Sequence, residues 1–194
     1  MAPDTTNLAE RAGEDLRFIR DAMARGSAFT CVPGLGGILM GAVGVAAAVL
    51  APRAGTGRAW LAVWVGAAFL AFAVGVVALL RKARREAHRP AGSAARRFTL
   101  ALLPPLVAGA ALTAALASRE TYAVLPAIWL MLYGCAVVGA GVHSVPVVPL
   151  FGGALVALGL VALALPAQGN LLLGVGFGAG HLVSGAIVAR RYGG

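Results

Sequence analysis

The sequence predicts an all-α, polytopic membrane protein in which six transmembrane helices follow an N-terminal cytoplasmic amphipathic helix. Of the 194 residues, 60% are hydrophobic and only 12% are charged, whereas about a quarter of residues are charged in a typical globular domain. From Thr121 to Ala189 there is no Asp, Glu, Lys or Arg. In lipid only helices and closed barrels satisfy every backbone hydrogen bond, and the continuously apolar runs lack the alternation of barrel strands.

Each apolar run holds about 18 to 22 residues, which at 1.5 Å per residue suffices to cross a ~30 Å hydrocarbon core. The chain is therefore divided into a cytoplasmic helix and linker, 1–30, and a transmembrane domain, 31–194. The predicted spans are 33–50, 59–80, 98–117, 122–142, 145–165 and 171–189.

The basic residues predict the orientation. Thirteen of the 16 Lys and Arg fall on one side of these spans: four before the first span, seven in 81–97 and two at the C-terminus. Arg53, Arg58 and Arg119 fall on the other side. By the positive-inside rule, both termini are expected in the cytoplasm. The loop 81–97 is expected to contact anionic lipid headgroups, and because it lacks aromatic residues we expect no nucleic-acid binding.

The segment before the first span has an apolar stripe at helical spacing, formed by Leu8, Ala12, Leu16, Ile19 and Met23. Pairs of opposite charge four residues apart cover the remaining surface. A mixed-charge face favours a protein partner over an anionic bilayer, which prefers a basic face. Leu8, Leu16, Ile19 and Met23 thus form a candidate partner-docking face, the alternative being that the helix packs on the underside of its own bundle.

His181 lies in the glycine-rich stretch "GVGFGAGHLVSGAIVARRYGG" near the C-terminus. With α-helical periodicity, Gly174, Gly178, Ser184 and Gly185 fall on the same side as the histidine and form a groove of small residues that faces the bundle. His181, Ser184 and Gly178 are therefore a candidate polar site. It is either a hydrogen-bonded packing contact or part of a ligand or proton path.

Two segments suggest an internal repeat. "VPGLGGILMGAVGVAAAVLAP" begins at Val32 and "VPLFGGALVALGLVALALP" begins at Val148. Both would start on the same side of the membrane, so the first and last hairpins are predicted to form a parallel duplication. Trp60 and Trp64 are expected in the interfacial aromatic belt.

The sequence lacks the patterns of the common catalytic and metal sites: HExxH, GxSxG, paired intramembrane aspartates and metal-ligand Cys/His spacing. Its spans contain no charged relay for a coupled pump. We expect no enzyme activity and no cofactor.

The favoured hypothesis is an interaction or regulatory membrane subunit that docks a partner. The alternative is a pore, facilitator or binding protein for a small neutral or lipophilic solute. Surplus glycine faces also allow a homo-oligomer.

Three segments resemble small bacterial inner-membrane proteins that are usually called hypothetical: "DLRFIRDAMARGSAFTCVPGLGGILMG", "YGCAVVGAGVHSVPVVPLFGG" and "GNLLLGVGFGAGHLVSGAIVARRYGG". The resemblance covers the chain from the amphipathic helix to the C-terminus. It implies a bacterial cytoplasmic (inner) membrane protein that acts as one unit, and it carries no established activity.

Overall fold

A computed structural model of the protein describes residues 13–16, 18, 33–85, 92–142 and 144–192. Most of these residues are helical, and there is no β-strand among them. A π-helical segment, Gly174–Gly180, joins the last two helices, and we call Pro166–Tyr192 as a whole the last span. The helices are α1 (Gly34–Leu50), α2 (Gly57–Arg85), α3 (Gly92–Ala117), α4 (Leu125–Gly141), α5 (Val147–Ala164), α6 (Gly169–Leu173) and α7 (His181–Tyr192).

Five of the described helical segments are long and apolar enough to cross a membrane. The fourth predicted span, 122–142, corresponds to α4, an apolar helix of 17 residues that is shorter than those five. The described part of the chain therefore has the composition of a helical membrane protein with five candidate spans. They are Gly34–Ala54, Gly57–Arg81, Arg96–Ala117, Val147–Ala164 and Pro166–Tyr192.

Four pairs of packed segments run antiparallel. In α1 and α2, Gly36 lies against Ala78 and Gly75 against Met40, so the residue numbers run in opposite directions. The same relation holds between α3 and α4, between α4 and α5, and between α1 and the last span. One end of the bundle thus collects the start of α1, the end of α2, the start of α3 and the end of α7. We call it the basic end, after its exposed residues Arg81, Arg96, Arg97, Arg190 and Arg191.

Glycines bring α1 and the last span into backbone contact. An added Cβ on Gly41 would lie 2.6 Å from the backbone nitrogen of Leu182, and one on Gly44 would lie 2.6 Å from the carbonyl oxygen of Phe177. A Cβ on Gly37 would lie 3.0 Å from the Cα of Gly185. Lipid provides no hydrophobic force that drives helices together, so close van der Waals packing of this kind is a main source of their association. The interface therefore depends on small residues on both helices.

The packing gives no support for the predicted duplication of the first and last hairpins. In the aligned segments Gly37 corresponds to Gly153, yet Gly37 lies against the last span and Gly153 has nothing within 4 Å. The neighbouring Gly152 instead packs on α4, where its Cβ would lie 2.7 Å from the nitrogen of Val138. Two similar segments thus present their glycines to different neighbours.

The largest fully buried side chains lie where α4, α5 and α6 meet: Leu125, Leu130, Leu155 and Leu173. By contrast α2 and α3 are peripheral, and many of their large apolar side chains are exposed, as shown by Phe69 at 71%. An apolar exterior around a packed centre is the arrangement expected of helices that face hydrocarbon on the outside.

Candidate functional site

His181 lies at the start of α7 and is only 7% exposed. Its Nε2 is 3.0 Å from the hydroxyl oxygen of Tyr133 on α4, and its Nδ1 is 3.1 Å from the carbonyl oxygen of Phe177 one turn earlier. The ring packs edge to face on Phe151 of α5, with centroids 4.8 Å apart. The histidine therefore connects three helices through one side chain.

The hydrogen-bond partners of His181 show which of its ring nitrogens carries the proton. A carbonyl oxygen only accepts hydrogen bonds, so Nδ1 must carry the proton that is donated to Phe177. In the neutral ring Nε2 is then an acceptor, and the hydroxyl of Tyr133 donates to it. A neutral histidine avoids the large cost of burying a charge. Both ring nitrogens are satisfied within the protein, as a packing contact requires.

The structure does not bring His181, Ser184 and Gly178 together as one site. A Cβ on Gly178 would lie 2.9 Å from the side chain of Val45 on α1, away from the imidazole partners. The hydroxyl of Ser184 donates to the carbonyl of His181, 3.4 Å away on its own helix. The reason is the π-helical segment, which has more residues per turn than an α-helix. The histidine faces Tyr133, while Gly174 and Gly178 face α1.

A second polar centre, around Asn170, was not predicted. Its Oδ1 accepts hydrogen bonds from the indole nitrogens of Trp60 and Trp64, at 3.1 Å and 3.0 Å. Its Nδ2 donates to the carbonyl of Ala48 at 2.9 Å. That carbonyl would ordinarily bond the N–H four residues later, but that residue is Pro52, which has none. Asn170 therefore caps the end of α1 and joins it to α2 and the last span.

Trp64 does not belong to an interfacial belt, since it is only 4% exposed and lies in the core. Trp60 stacks on Trp129 with centroids 5.6 Å apart and planes within 4°. Together with neighbouring rings they form what we call the aromatic cluster, which continues to the histidine. Its members are Trp129, Trp60, Trp64, Phe177, Tyr133, His181 and Phe151. A lone Asn at the start of an apolar run was the sequence signal that could have pointed to this centre.

The predicted docking face lies mostly outside the described residues, which include Leu16 but not Leu8, Ile19 or Met23. Residues 13–16 and 18 are helical, and Leu16 is 61% exposed. Phe18, which the stripe does not include, is 69% exposed. The chain's own bundle therefore leaves the one described member of this face uncovered.

The chemistry available to the His181 centre is limited by what surrounds it. The described residues contain no group of three His, Cys, Asp or Glu that could hold a metal ion. Cys135 is exposed, and His143 and Cys31 fall outside the described part of the chain. The imidazole is enclosed, and it lines neither of the two cavities described next. The arrangement fits a structural hydrogen bond between helices.

The first of those cavities, of about 210 Å³, is a recess at the end of the bundle opposite the basic end. The second, of about 200 Å³, is an apolar groove between α1 and α2.

Comparison of the chain with known protein families, with curated proteins and with solved structures finds no match.

Proposed function

We propose that the chain is a non-catalytic interaction or regulatory subunit of the bacterial cytoplasmic membrane that docks a protein partner through its N-terminal helix. The observation that carries this proposal is the 61% exposure of Leu16, an apolar residue of the predicted docking face. An exposed apolar side chain on an amphipathic helix gains stability when another surface covers it. The mixed charges beside the stripe favour a protein surface.

The interior favours this role over that of a pore. A pathway for a solute needs space and polar groups that are free to contact the solute. The glycine faces of α1 and the last span are instead filled by each other's backbone. The imidazole of His181 and the amide of Asn170 both bond to neighbouring helices. These groups stabilise the bundle and leave recognition to its ends.

We further propose that α4 crosses the membrane and completes six spans. Its 17 residues measure about 25 Å at 1.5 Å per residue, which is near the lower limit for a transmembrane helix. It packs antiparallel to both α3 and α5, so it returns the chain to the basic end. With that end in the cytoplasm, both termini are cytoplasmic and loop 81–97 contacts anionic lipid.

The orientation is tested by labelling single cysteines in intact cells with a membrane-impermeant maleimide, in a background where Cys31 and Cys135 are changed to Ala. A cysteine in place of Ala95 should react only after the cells are lysed. One in place of the exposed Ala123, at the opposite end, should react from outside. The reverse pattern would overturn the proposed orientation.

The function is tested by purifying the tagged full chain in nanodiscs and identifying the proteins that purify with it. The wild type is compared with a Leu16→Ser/Ile19→Ser variant. Phe18→Ser is the matched control, because it removes an exposed apolar side chain outside the stripe. We expect one partner that the double variant loses and the control keeps.

Equal recovery of every protein with all three chains would contradict partner docking by the stripe. Loss of vesicle binding in the double variant, with no change in protein partners, would instead assign the face to the membrane surface. Vesicles with and without anionic lipid are therefore included in the same comparison.

A further inference from the structure

The apolar groove between α1 and α2 has the same pattern of residue sizes on both of its sides. On each helix the lining residues recur at helical spacing, with small side chains in the middle and a large one at either end. Because α1 and α2 run antiparallel, Leu50 and Val63 lie toward the end opposite the basic end, and Val43 and Leu70 lie farther from it. The small residues between them, such as Gly66, form the floor of the groove.

The groove is open toward the outside of the bundle. A Cβ on Gly66 would have nothing within 4 Å, and the flanking Leu50 and Leu70 are each 56% exposed. Both helices belong to candidate membrane spans, so in a bilayer this surface faces hydrocarbon.

The size of the groove suits a hydrocarbon chain. Its volume of about 200 Å³ equals that of about seven water molecules at ~30 Å³ each. A methylene group is about as large as a water molecule, so the groove has room for part of one acyl chain. A helix, which is about 10–12 Å across with its side chains, is too wide to enter it.

A cation lies where α1 and the groove end. Arg53 follows Leu50 in the 3₁₀ turn Ala51–Ala54, and side chains three residues apart are eclipsed in such a turn. The guanidinium of Arg53 is exposed and donates to the carbonyl of Val49 in the last turn of α1. A guanidinium has five N–H donors, so the others remain available to an anion.

The charge of Arg53 is not neutralised by the protein. At this end of the bundle Arg58 and Glu120 form an ion pair of 2.8 Å, whereas Arg53 and Arg119 have no carboxylate partner among the described residues. This end therefore carries a net positive charge, which attracts anionic groups. Arg119 also donates to a carbonyl four residues earlier, that of Ala115, but it follows α3, which does not line the groove.

We propose that the groove and Arg53 bind one anionic phospholipid, with an acyl chain in the groove and the phosphate on the guanidinium. The arrangement fits a bilayer, because the span Gly34–Ala54 ends in the turn that contains Arg53, and an arginine there reaches the headgroups. A zwitterionic headgroup is less favoured, because Arg53 has no carboxylate beside it to bind a choline group. This site is independent of the proposed docking of a partner at the N-terminal helix.

The test uses vesicles that contain the full chain and a phospholipid with brominated acyl chains, since bromine quenches the fluorescence of nearby tryptophans. The three tryptophans lie near the starts of α2 and α4, away from the basic end. Trp64 belongs to the same hydrophobic cluster as Ala47 and Ala67 of the groove floor. Lipid at the basic end is therefore too far away to contribute strongly to the signal.

Brominated phosphatidylglycerol is titrated against phosphatidylcholine with the same chain length, and the opposite labelling measures the surrounding lipid. The wild type should prefer phosphatidylglycerol about fivefold, the effect of one basic residue near an anionic headgroup. Arg53→Gln should remove this preference and Arg53→Lys should keep it. The matched control Arg119→Gln, which loses the same kind of backbone contact, should also keep it.

The groove itself is tested by filling it. Gly66→Leu should remove the preference, whereas Gly153→Leu, at a glycine that also has nothing within 4 Å, should keep it. Both leucines start in open space, so neither substitution has to disturb the bundle.

The proposal is overturned if the wild type shows no preference, or if Gly66→Leu keeps the preference that Gly153→Leu shows. Equal losses in Arg53→Gln and Arg119→Gln would overturn it as well, since they indicate a general attraction to positive charge. Cross-linking of two chains through Gly66→Cys would assign the groove to a second copy instead. The Leu16→Ser/Ile19→Ser variant should keep the lipid preference, which separates this result from that of the partner experiment.

Discussion

Replacing Gly185 by Ala tests whether backbone contact between α1 and the last span holds the bundle together. A Cβ at this position would lie 2.6 Å from the nitrogen of Ile38, 2.8 Å from the carbonyl oxygen of Gly34 and 2.9 Å from the carbonyl carbon of Gly37. All three atoms belong to the backbone of α1, so no side chain can rotate away. The two helices must separate.

The size of the effect follows from the distances. Ordinary van der Waals contact begins at 3.4 Å, so the nearest atom must move by about 0.8 Å, the difference between 3.4 and 2.6 Å. Forced overpacking of this kind costs about 1–3 kcal/mol. Alanine also favours the helix by about 1 kcal/mol over glycine. The matched variant Gly153→Ala has that benefit without the clash, since nothing lies within 4 Å of Gly153.

We therefore expect Gly185→Ala to be less stable than Gly153→Ala by about 1–3 kcal/mol. Gly153→Ala itself should equal the wild type or exceed it by up to about 1 kcal/mol. The free energy of unfolding is measured by SDS titration in mixed micelles, with tryptophan fluorescence as the signal. If both variants unfold at the same SDS fraction, α1 and the last span do not pack through Gly185.

The two polar centres give further predictions that the same titration measures. In a double-mutant cycle, Tyr133→Phe and His181→Ala should show a coupling energy of about 0.6 kcal/mol and at most about 1.7 kcal/mol, the average and the maximum for hydrogen bonds between membrane helices. Additive effects would show that the bond contributes nothing. Asn170→Ala should lower the free energy of unfolding by about 2–3 kcal/mol, because two buried indole N–H groups and the carbonyl of Ala48 lose their partner. A loss below about 0.5 kcal/mol would mean that water replaces the amide there.

The helical architecture could be predicted because it depends on composition alone. A charge-free apolar run must satisfy its backbone internally, whichever neighbours it has. Gly37 and Gly41 could likewise be expected at a helix contact, because small residues let backbones approach. Which helix they contact could not be predicted, since every span offers glycines. Sequence spacing does not say that Gly37 meets Gly185 while the corresponding Gly153 meets nothing.

The surroundings of His181 could not be predicted because the periodicity changes just before it. The prediction assumed 3.6 residues per turn through Gly174–Gly180, where the structure has a π-helix. A wider turn rotates every later side chain relative to an α-helix. Four glycines in this segment make it permissive to unusual backbone geometry, but composition alone does not select the π form. The Asn170 centre could not be predicted for another reason. Its partner is the carbonyl of Ala48, which Pro52 leaves without a helical hydrogen bond and which lies far from Asn170 in the sequence.

The distribution of hydrogen bonds indicates which parts of this protein are available to bind other molecules. Inside a bilayer a polar group without a partner is costly, so an interior group kept free for a ligand needs a cavity or water beside it. His181 and Asn170 need neither a cavity nor water, because neighbouring helices supply their hydrogen-bond partners. The apolar side chain of Leu16, which precedes α1 in the chain, is by contrast left exposed. A bundle whose interior is closed in this way favours binding at its ends over passage through its centre.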